Sequence, residues 1–283
     1  MRSLAASPLL LCAACTFRFS GVPIDNSADL AAPAGDDLAV VAAGDLAAAD
    51  PCGPSFTPQG STLAVKCAIG TPPSLDGDLS EWGTLDYKLT HTNAQSQSSA
   101  AAWTGTPAQD DADSSAQFSL RWDLSYLFVA VHVDDDIRGL HPNAPMYQPY
   151  LDDAIELYLD GLHDRTGPYG ADDHQLVVTE DGHNGEYKDG QLAGAVPAAD
   201  FVVKEDQTGV GFAVEFRVPW SALGGGAVVN GRALGVDLEI DDDDNTTDQE
   251  LTRYLTWWNM SSTGCNFPPA CTSNFGAAQL VGR

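Results

Sequence analysis

Residues 121–136, RWDLSYLFVAVHVDDD, decide the fold class. Every second residue from Leu127 to Val133 is apolar, so these side chains share one face of an extended strand. The residues between them fall on the opposite face. A period of two over this length predicts a β-strand with one face in a core.

The same alternation recurs along the chain, in Ala116–Trp122, Ile155–Leu159, Phe212–Val218 and Leu234–Ile240. Shorter candidate strands are Leu63–Cys67, Leu176–Glu180, Phe201–Lys204, Leu251–Trp257 and Ala277–Val281. Asp-Gly, Asn-Gly and Gly-Gly dipeptides separate the strands, and the one predicted helical turn is Pro219–Leu223. Without a long amphipathic helix, this pattern predicts an all-β fold, an antiparallel β-sandwich of about ten strands.

The charge balance limits the classes of partner. The 283 residues include 13 Lys and Arg against 40 Asp and Glu, a formal net charge of −27. Binding to nucleic acid or to an anionic membrane surface requires clustered basic residues, so both are excluded as partners. A surplus of carboxylates suits divalent cations, or serves solubility alone.

Residues 1–15 resemble a bacterial lipoprotein signal peptide. A short positive start, Met1-Arg2, precedes the apolar stretch Leu4–Leu11, and Ala13-Ala14 leads to Cys15. This resemblance implies lipidation at Cys15, an exported chain, and a lipid anchor at the bacterial cell envelope as its only membrane contact. A plain cleaved secretory signal and a redox or metal pair with Cys12 remain open.

Residues 16–60 form a segment rich in Ala, Asp, Gly and Pro. The triplet Asp-Leu-Ala begins at Asp29, Asp37 and Asp45, and a period of eight fits neither a helix face nor a strand face. Such a segment buries too little apolar surface to offset its ordering entropy. We therefore predict a disordered N-terminal tether before a folded domain at residues 61–283.

Four cysteines follow the signal, at positions 52, 67, 265 and 271, and they allow three pairings. Sequence proximity favours Cys52–Cys67 and Cys265–Cys271. An oxidising compartment favours disulfides here. A zinc site stays open, although zinc usually takes more closely spaced cysteine pairs.

Several segments together carry a resemblance to a known family. In chain order they are Gly70–Trp82, Arg121–Asp136, Tyr150–Asp160, Gly211–Trp220, Gly235–Asp242 and the closing Asn274–Gly276. Their order and spacing are similar to those of the family 9 carbohydrate-binding modules, over residues 61–283. The resemblance implies a β-sandwich that binds sugars in a cleft between aromatic rings and holds structural calcium.

The resemblance also suggests individual ligand-binding residues. Tyr150 stands where the family has a Trp, Glu156 matches a ligand-contacting Glu, and Gln175 precedes the family's polar contacts. Val177 and Thr179 stand in place of a family Arg and Asn, so the family's sugar preference does not transfer.

The second aromatic wall implied by the resemblance is Phe267, with Trp258 as its substitute. We place the ligand cleft between Tyr150 and Phe267, with Glu156 beneath.

Acidic clusters supply candidate calcium ligands, at Asp110-Asp111, Asp134–Asp136, Asp152-Asp153, Asp172-Asp173 and Asp241–Asp244. The first candidate site contains Asp164, Asp172 and Asp173, and the second contains Asp241 and Asp242. None has the spacing of an EF-hand loop. Plain solvated acidic loops remain the alternative.

No catalytic motif is present, because the chain lacks a nucleophile elbow, an HExxH zinc motif and a phosphate loop. We predict a monomeric, non-catalytic module that binds a polysaccharide or oligosaccharide, as an accessory to separate glycoside hydrolases. A surface protein without sugar binding is one alternative. A haem-binding relative that uses Met146, Met260 or His132 is another.

Overall fold

The structure is a computed structural model that describes residues 50–94, 96–97, 110–143, 148–188, 191–194, 201–205, 211–247, 253–258 and 271–283. Residues 1–15, most of the tether, Cys265 and Phe267 lie outside this part. Among the helices of the described residues, none is both long enough and apolar enough to cross a membrane.

The described residues form fourteen strands and a few short 3-10 turns. The strands are β1 Leu63–Cys67, β2 Tyr87–Leu89, β3 Ser96–Gln97, β4 Ser114–Trp122, β5 Tyr126–Asp135, β6 Ala154–Asp160, β7 Asp173–Thr179, β8 Asn184–Lys188, β9 Gln191–Gly194, β10 Phe201–Glu205, β11 Phe212–Pro219, β12 Ala233–Asp242, β13 Arg253–Thr256 and β14 Gly276–Val281. The 3-10 turns are Leu79–Trp82, Pro149–Leu151 and Thr272–Asn274.

All the strands belong to one mixed sheet. Its order is β10-β11-β5-β4-β1-β14-β12-β6-β7-β8-β9, with β2 on β4, β13 on β12, and β3 on β13. Strand β1 runs parallel to both β4 and β14, whereas the other pairs are antiparallel. The all-β prediction is confirmed, while "antiparallel" and "ten strands" are only approximate. The short strands β3 and β9 carry too few residues for alternation to reveal them, and pairing direction is a long-range property.

The sheet curls so that its two halves share a core. The first half contains β2, β4, β5, β10 and β11, and the second contains β6 to β9, β12 and β13. Apolar side chains from both halves form one buried cluster. In that core the ring centroid of Trp257 lies 5.1 Å from that of Phe118 and 5.8 Å from that of Tyr87. This packing produces the sandwich that the alternation predicts.

Residues 50–60, assigned to the tether from sequence, are fixed to the folded part. A disulfide joins Cys52 to Cys67 at the end of β1. The side-chain amide of Asn230 donates to the Pro54 carbonyl over 2.7 Å. The predicted pairing Cys52–Cys67 is therefore present. Cys271 is also disulfide-bonded, while Cys265 lies outside the described residues.

The buried carboxylate of Glu215 holds the segment 75–82 on the outer surface of the first half. It accepts hydrogen bonds from the backbone N–H groups of Asp76 (3.1 Å) and Gly77 (2.7 Å), and from the Trp82 indole (2.8 Å). Gly77 has φ 73°, and a Cβ there would lie 2.6 Å from the Cβ of Lys204. Glycine is therefore required at this close approach.

Glu215→Ala should lower the free energy of unfolding by about 2–4 kcal/mol, because it leaves three donors without their charged acceptor. Denaturant titration of both proteins measures the difference. Glu81→Ala is the control, since Glu81 is exposed and accepts one bond from Ser74 N. It should cost less than about 1 kcal/mol. Equal losses in the two variants would contradict the anchoring role of Glu215.

Candidate functional site

The second half of the sheet presents a polar face on the side away from the core. In β6 the odd-numbered residues from Ile155 to Leu159 lie in the core, so Glu156 and Tyr158 take the opposite side. Strand register places Glu239 of β12 and Val177 of β7 on either side of Glu156. Three adjacent strands therefore contribute side chains to one surface.

Four carboxyl groups form what we call the acidic floor of this face: Glu156, Asp237, Glu239 and Asp241. Each of the four residues is at most 8% exposed. The Gln175 amide donates to Glu156 over 2.7 Å, and the Tyr158 hydroxyl donates to Glu156 and, over 3.3 Å, to Glu239. Gln175 and Tyr158 therefore donate side-chain hydrogen bonds to the floor, and Asp241 shares further hydrogen bonds with Glu156 and Glu239.

Burial raises the pKa of the floor carboxyls. The pKa values of Glu239 and Asp241 lie well above their usual range, because burial is reinforced by repulsion from Glu156. Burial also raises the pKa of Asp237 to about 7, even though Asp237 accepts hydrogen bonds from the backbone N–H groups of Trp258 and Leu238. Within the described chain no Lys, Arg or His forms an ion pair with these four groups.

Several oxygen atoms of this face are buried without a hydrogen-bond donor. They are both carboxylate oxygens of Asp241, Oδ2 of Asp237 and Oε1 of Gln175. Buried polar atoms without partners are costly, so such a group points to a missing partner. Oε1 of Gln175 can only accept, so its missing partner must be a donor. Asp237 and Asp241 have raised pKa values, so their carboxyls can hold a proton, and Asp241 shares hydrogen bonds with the carboxyls of Glu156 and Glu239.

Three tyrosines, Tyr150, Tyr187 and Tyr254, surround the floor, and we call them the tyrosine rim. The rings of Tyr150 and Tyr187 meet edge to face with centroids 5.6 Å apart, and both pack on Val177. Tyr254 of β13 lies opposite Asp241 in the register. Burial raises the pKa of Tyr150 and of Tyr254, and the charge of Asp241 adds to each shift. The partly exposed rings of Tyr150 and Tyr254 therefore stand beside the carboxyls, whereas Tyr187 is buried.

A second set of acids lies where β5 and β12 end and β6 begins. Asp135, Asp153 and Asp242 offer oxygen atoms within 4.8 Å of one another, and all three are buried. We call this trio the central acidic cluster. Burial, with repulsion from Asp135, raises the pKa of Asp242 to about 9. Oδ1 of Asp242 is buried without a hydrogen-bond donor.

Two further groups nearby also bring three potential metal-ligand atoms within 4.8 Å of one another. One contains Asp113, Asp136 and Asp244, and the other contains His141, Asp152 and Asp243. The buried Arg253 pairs with Asp113, Asp244 and, at 3.3 Å, Asp242. The guanidinium of Arg253 is thus the cation that pairs with several carboxyls at this edge of the sheet.

A fourth group combines Asp160 with Asp172 and Asp173 beside the loop that follows β6. Asp160 accepts from the backbone N–H groups of Asp164 (3.2 Å) and Arg165 (3.1 Å). In that loop His163 and Arg165 have φ near +53°, a left-handed conformation that is costly outside glycine. Oδ1 of Asp173 is buried without a donor, and burial raises the pKa of Asp173 to about 6.

The structure brings Tyr150, Glu156 and Gln175 together, as the sequence suggests. Trp258 lies on the opposite side of the floor: its backbone N–H donates to Asp237 over 2.8 Å, and its ring packs on Gly276. Phe267 lies outside the described residues, so the proposed opposite wall of the cleft stays a prediction.

The predicted calcium ligands separate into different groups. Asp172 and Asp173 join Asp160, and Asp242 joins Asp135 and Asp153. Asp164 and Asp241 belong to none of the metal-type groups found among the described residues. Asp241 lies in the acidic floor instead.

Sequence reasoning missed Tyr187, Tyr254 and Glu239 in this site. Their positions depend on strand register across β8, β13 and β12, which local alternation does not reveal. The haem alternative stays a prediction: Met146 and Met260 lie outside the described residues, and His132 lies on β5 with Nδ1 3.8 Å from Asp134.

Comparison with known proteins places this chain in a family. The family model described as "Carbohydrate family 9 binding domain-like" matches residues 83–283. Exoglucanase XynX of Acetivibrio thermocellus is 27% identical over 220 residues, which are 77% of this chain and 17% of that protein. Endo-1,4-beta-xylanase A of Thermoanaerobacterium saccharolyticum is 25% identical over 220 residues, or 16% of its length. The chain thus spans about a sixth of each of these relatives.

Solved structures show the same fold. Two structures of a family 9 carbohydrate-binding module from Caldicellulosiruptor kristjanssonii, one with cellotriose and one with glucose, match with TM-score 0.58 and 21% identity. The match covers 78% of this chain and at least 94% of theirs.

The fold and its polar face define a non-catalytic binding module of the β-sandwich class. The chain belongs to the carbohydrate family 9 binding domain-like family, because that family's model covers most of its length. The predicted resemblance and the prediction of a non-catalytic module are thereby confirmed.

The free energy of unfolding should decrease as pH rises from about 4 to 7 in protein stripped of metal with a chelator. The pKa of Asp237 is raised from 3.8 to about 7 in the fold, so within this window the native state binds more protons than the unfolded chain. Asp237→Asn should flatten the slope, as measured by denaturant titration at several pH values. An unchanged slope in that variant would contradict the assignment.

Proposed function

We propose that this module binds an oligosaccharide on the tyrosine rim above the acidic floor. The observation that carries the proposal is the partly exposed ring of Tyr150, which packs on the buried Tyr187 on the same side of the sheet as Glu156 and Gln175, in a family 9 fold. Flat aromatic rings stack on the C–H faces of sugars, and buried polar groups orient the hydroxyls. The cellotriose and glucose complexes of the similar solved structures support a β-linked glucan as the first candidate.

The chain would act as an accessory to separate glycoside hydrolases. Its matching relatives are named as an exoglucanase and a xylanase, and it corresponds to a small part of each. A module held at the cell envelope that binds the polymer raises the local concentration of the polymer there, where separate hydrolases can act on it. We propose an extracellular location and a monomeric module for this role.

Tyr150→Ala should weaken oligosaccharide binding by about 1–3 kcal/mol, the loss expected for an aromatic platform and its buried area. Calorimetric titration with cello- and xylo-oligosaccharides measures the change. Tyr126→Ala is the matched control, because Tyr126 packs with Phe128 and Arg217 in the first half of the sheet. Unchanged affinity of Tyr150→Ala for a verified ligand would reject the site.

Calcium is proposed as a structural ion of the acidic clusters. The donors are carboxylate oxygens, which this ion prefers. Asp242 and Asp173 each hold a buried oxygen without a donor, in the central acidic cluster and in the Asp160 group. The residues therefore fit a hard cation, with Asp135, Asp153 and Asp242 as one ligand set and Asp160, Asp172 and Asp173 as another. A bound ion would offset the mutual repulsion of these carboxyls.

Removal of metal with a chelator should lower the melting temperature. An ion that binds only the native state stabilises it by about 2.7 kcal/mol at a hundredfold excess over Kd. Added calcium should restore the melting temperature of the wild type. It should restore the melting temperature of Asp242→Asn to a smaller extent. Asp86→Asn serves as control, since Asp86 lies apart from the clusters and pairs with Lys66. If the melting temperature of the wild type does not change with chelator, the clusters do not bind calcium.

We also propose that Cys15 is lipidated and that the segment before the fold tethers the module to the cell envelope. The support is Ala13-Ala14-Cys15 behind an apolar run. Metabolic labelling with a palmitate analogue should mark the wild-type chain and fail for Cys15→Ser. Persistent labelling of that variant would place the lipid elsewhere.

A further inference from the structure

His141 and two buried aspartates, Asp152 and Asp243, form a group that belongs to neither of the proposed calcium sets. Each of the three residues offers a ligand atom within 4.8 Å of those of the other two. We call them the histidine trio. They come from three segments of the chain: the stretch after β5, the residue that ends the 3-10 turn Pro149–Leu151, and the residue that follows β12. The trio therefore joins segments that are distant in sequence.

The ring nitrogen of His141 that faces the aspartates is not satisfied by them. Nδ1 lies 3.2 Å from Oδ2 of Asp243 and 3.5 Å from Oδ1 of Asp152, yet it is buried without a hydrogen-bond partner among the described residues. In the partly exposed pair His91 and Asp111, by contrast, Nδ1 and Oδ1 are 2.6 Å apart and hydrogen-bonded. At 3.2 Å a hydrogen bond fails only where the nitrogen is not directed at the oxygen. A buried polar atom in this state indicates a missing partner.

The separations within the trio match the spacing of ligand atoms around a small cation. Bonds of about 2.0–2.1 Å at tetrahedral angles place neighbouring ligand atoms about 3.3–3.4 Å apart. The two distances from Nδ1 of His141, 3.2 and 3.5 Å, lie on either side of this value. One ion can therefore contact the nitrogen and an oxygen of each aspartate at normal bond lengths. Three protein ligands leave a fourth position for water.

The two aspartates are held in place through their other oxygens. Oδ2 of Asp152 accepts from the backbone N–H of His141 over 3.0 Å, and Oδ1 of Asp243 accepts from that of Asn245 over 2.8 Å. Both aspartates are fully buried. Gly139 lets its segment approach closely, since a Cβ there would lie 1.7 Å from the carbonyl oxygen of Asp243. Contacts of this kind orient metal ligands and increase metal affinity.

We propose that the histidine trio binds a divalent transition-metal ion of the zinc class, at a site separate from the calcium sets. The imidazole nitrogen selects this class, because calcium takes oxygen ligands, whereas imidazole is a favoured ligand of zinc. The ion contacts Nδ1 of His141, Oδ1 of Asp152 and Oδ2 of Asp243. It links the end of β12 to the turn that carries Tyr150, which Asp152 directly follows. Because the three ligands converge only in the fold, the ion stabilises the native state.

Calorimetric titration with zinc tests the site. The protein is stripped of metal with a chelator, freed of the chelator and returned to excess calcium at neutral pH, so that sites built only of oxygen hold calcium. The wild type should then bind one zinc ion tightly, and zinc should raise its melting temperature above the value in calcium alone. His141→Gln, or His141→Asn if the first variant fails to fold, should weaken zinc binding at least about tenfold.

A second histidine supplies the matched control. His91 also pairs with an aspartate, Asp111, but it is partly exposed and belongs to none of the metal-type groups found among the described residues. His91→Gln should bind zinc as the wild type does. Cobalt(II) in place of zinc should give visible absorption bands with the wild type and with His91→Gln, and the bands should be lost in His141→Gln.

Three results would overturn the transition-metal site. Zinc affinity of His141→Gln equal to that of the wild type would place the zinc on other residues. A wild type that binds no zinc in excess calcium would assign the trio to calcium or to an ion pair between His141 and the aspartates. Equal loss of zinc affinity in His91→Gln and His141→Gln would show general binding to histidines.

Discussion

Burial of negative charge is the constraint around which this fold is arranged. Fifteen carboxyl residues are buried in the described part of the chain, where Arg253 is the single buried basic residue. An isolated carboxylate in a core is prohibitively costly unless hydrogen bonds, opposite charges or protons compensate it. Glu215 is compensated by three donors from the segment it anchors. Asp153 accepts from Gly139 N and Asp243 N, so backbone groups offset part of its cost.

Among the described residues, carboxyl oxygens without a compensating donor occur in two kinds of site. Asp242 and Asp173 hold them in groups of converging acids, and Asp237 and Asp241 hold them in the acidic floor, beside Oε1 of Gln175. The two kinds of site differ in geometry. Converging oxygens suit a single ion of high charge, whereas a floor bordered by rings suits an extended organic ligand. Under the two proposals, one excess of carboxyl groups serves both structural stability and recognition.

Local sequence predicted most of the strands and part of the site. Alternation from Leu127 to Val133 becomes β5, and the segment around Glu156 becomes β6 with Glu156 opposite the core. The sequence could not place Tyr187 or Glu239, because both reach the site through pairing between strands distant in sequence. The central acidic cluster escaped recognition as a unit for the same reason. Its three members lie on separate acidic runs, which only the fold brings together.

The parallel strand β1 has a consequence for the order of folding. Leu63 pairs with Ala278, and Lys66 pairs with Val281 and with Arg121, so the first and last strands lie side by side in the middle of the sheet. The hydrogen-bonded path between the two halves runs through this pair. Closing so long a loop costs entropy that only the finished contacts repay. The sheet is therefore completed only when residues 276–281 have been synthesised, and a chain truncated before them leaves β1 and β12 with open edges.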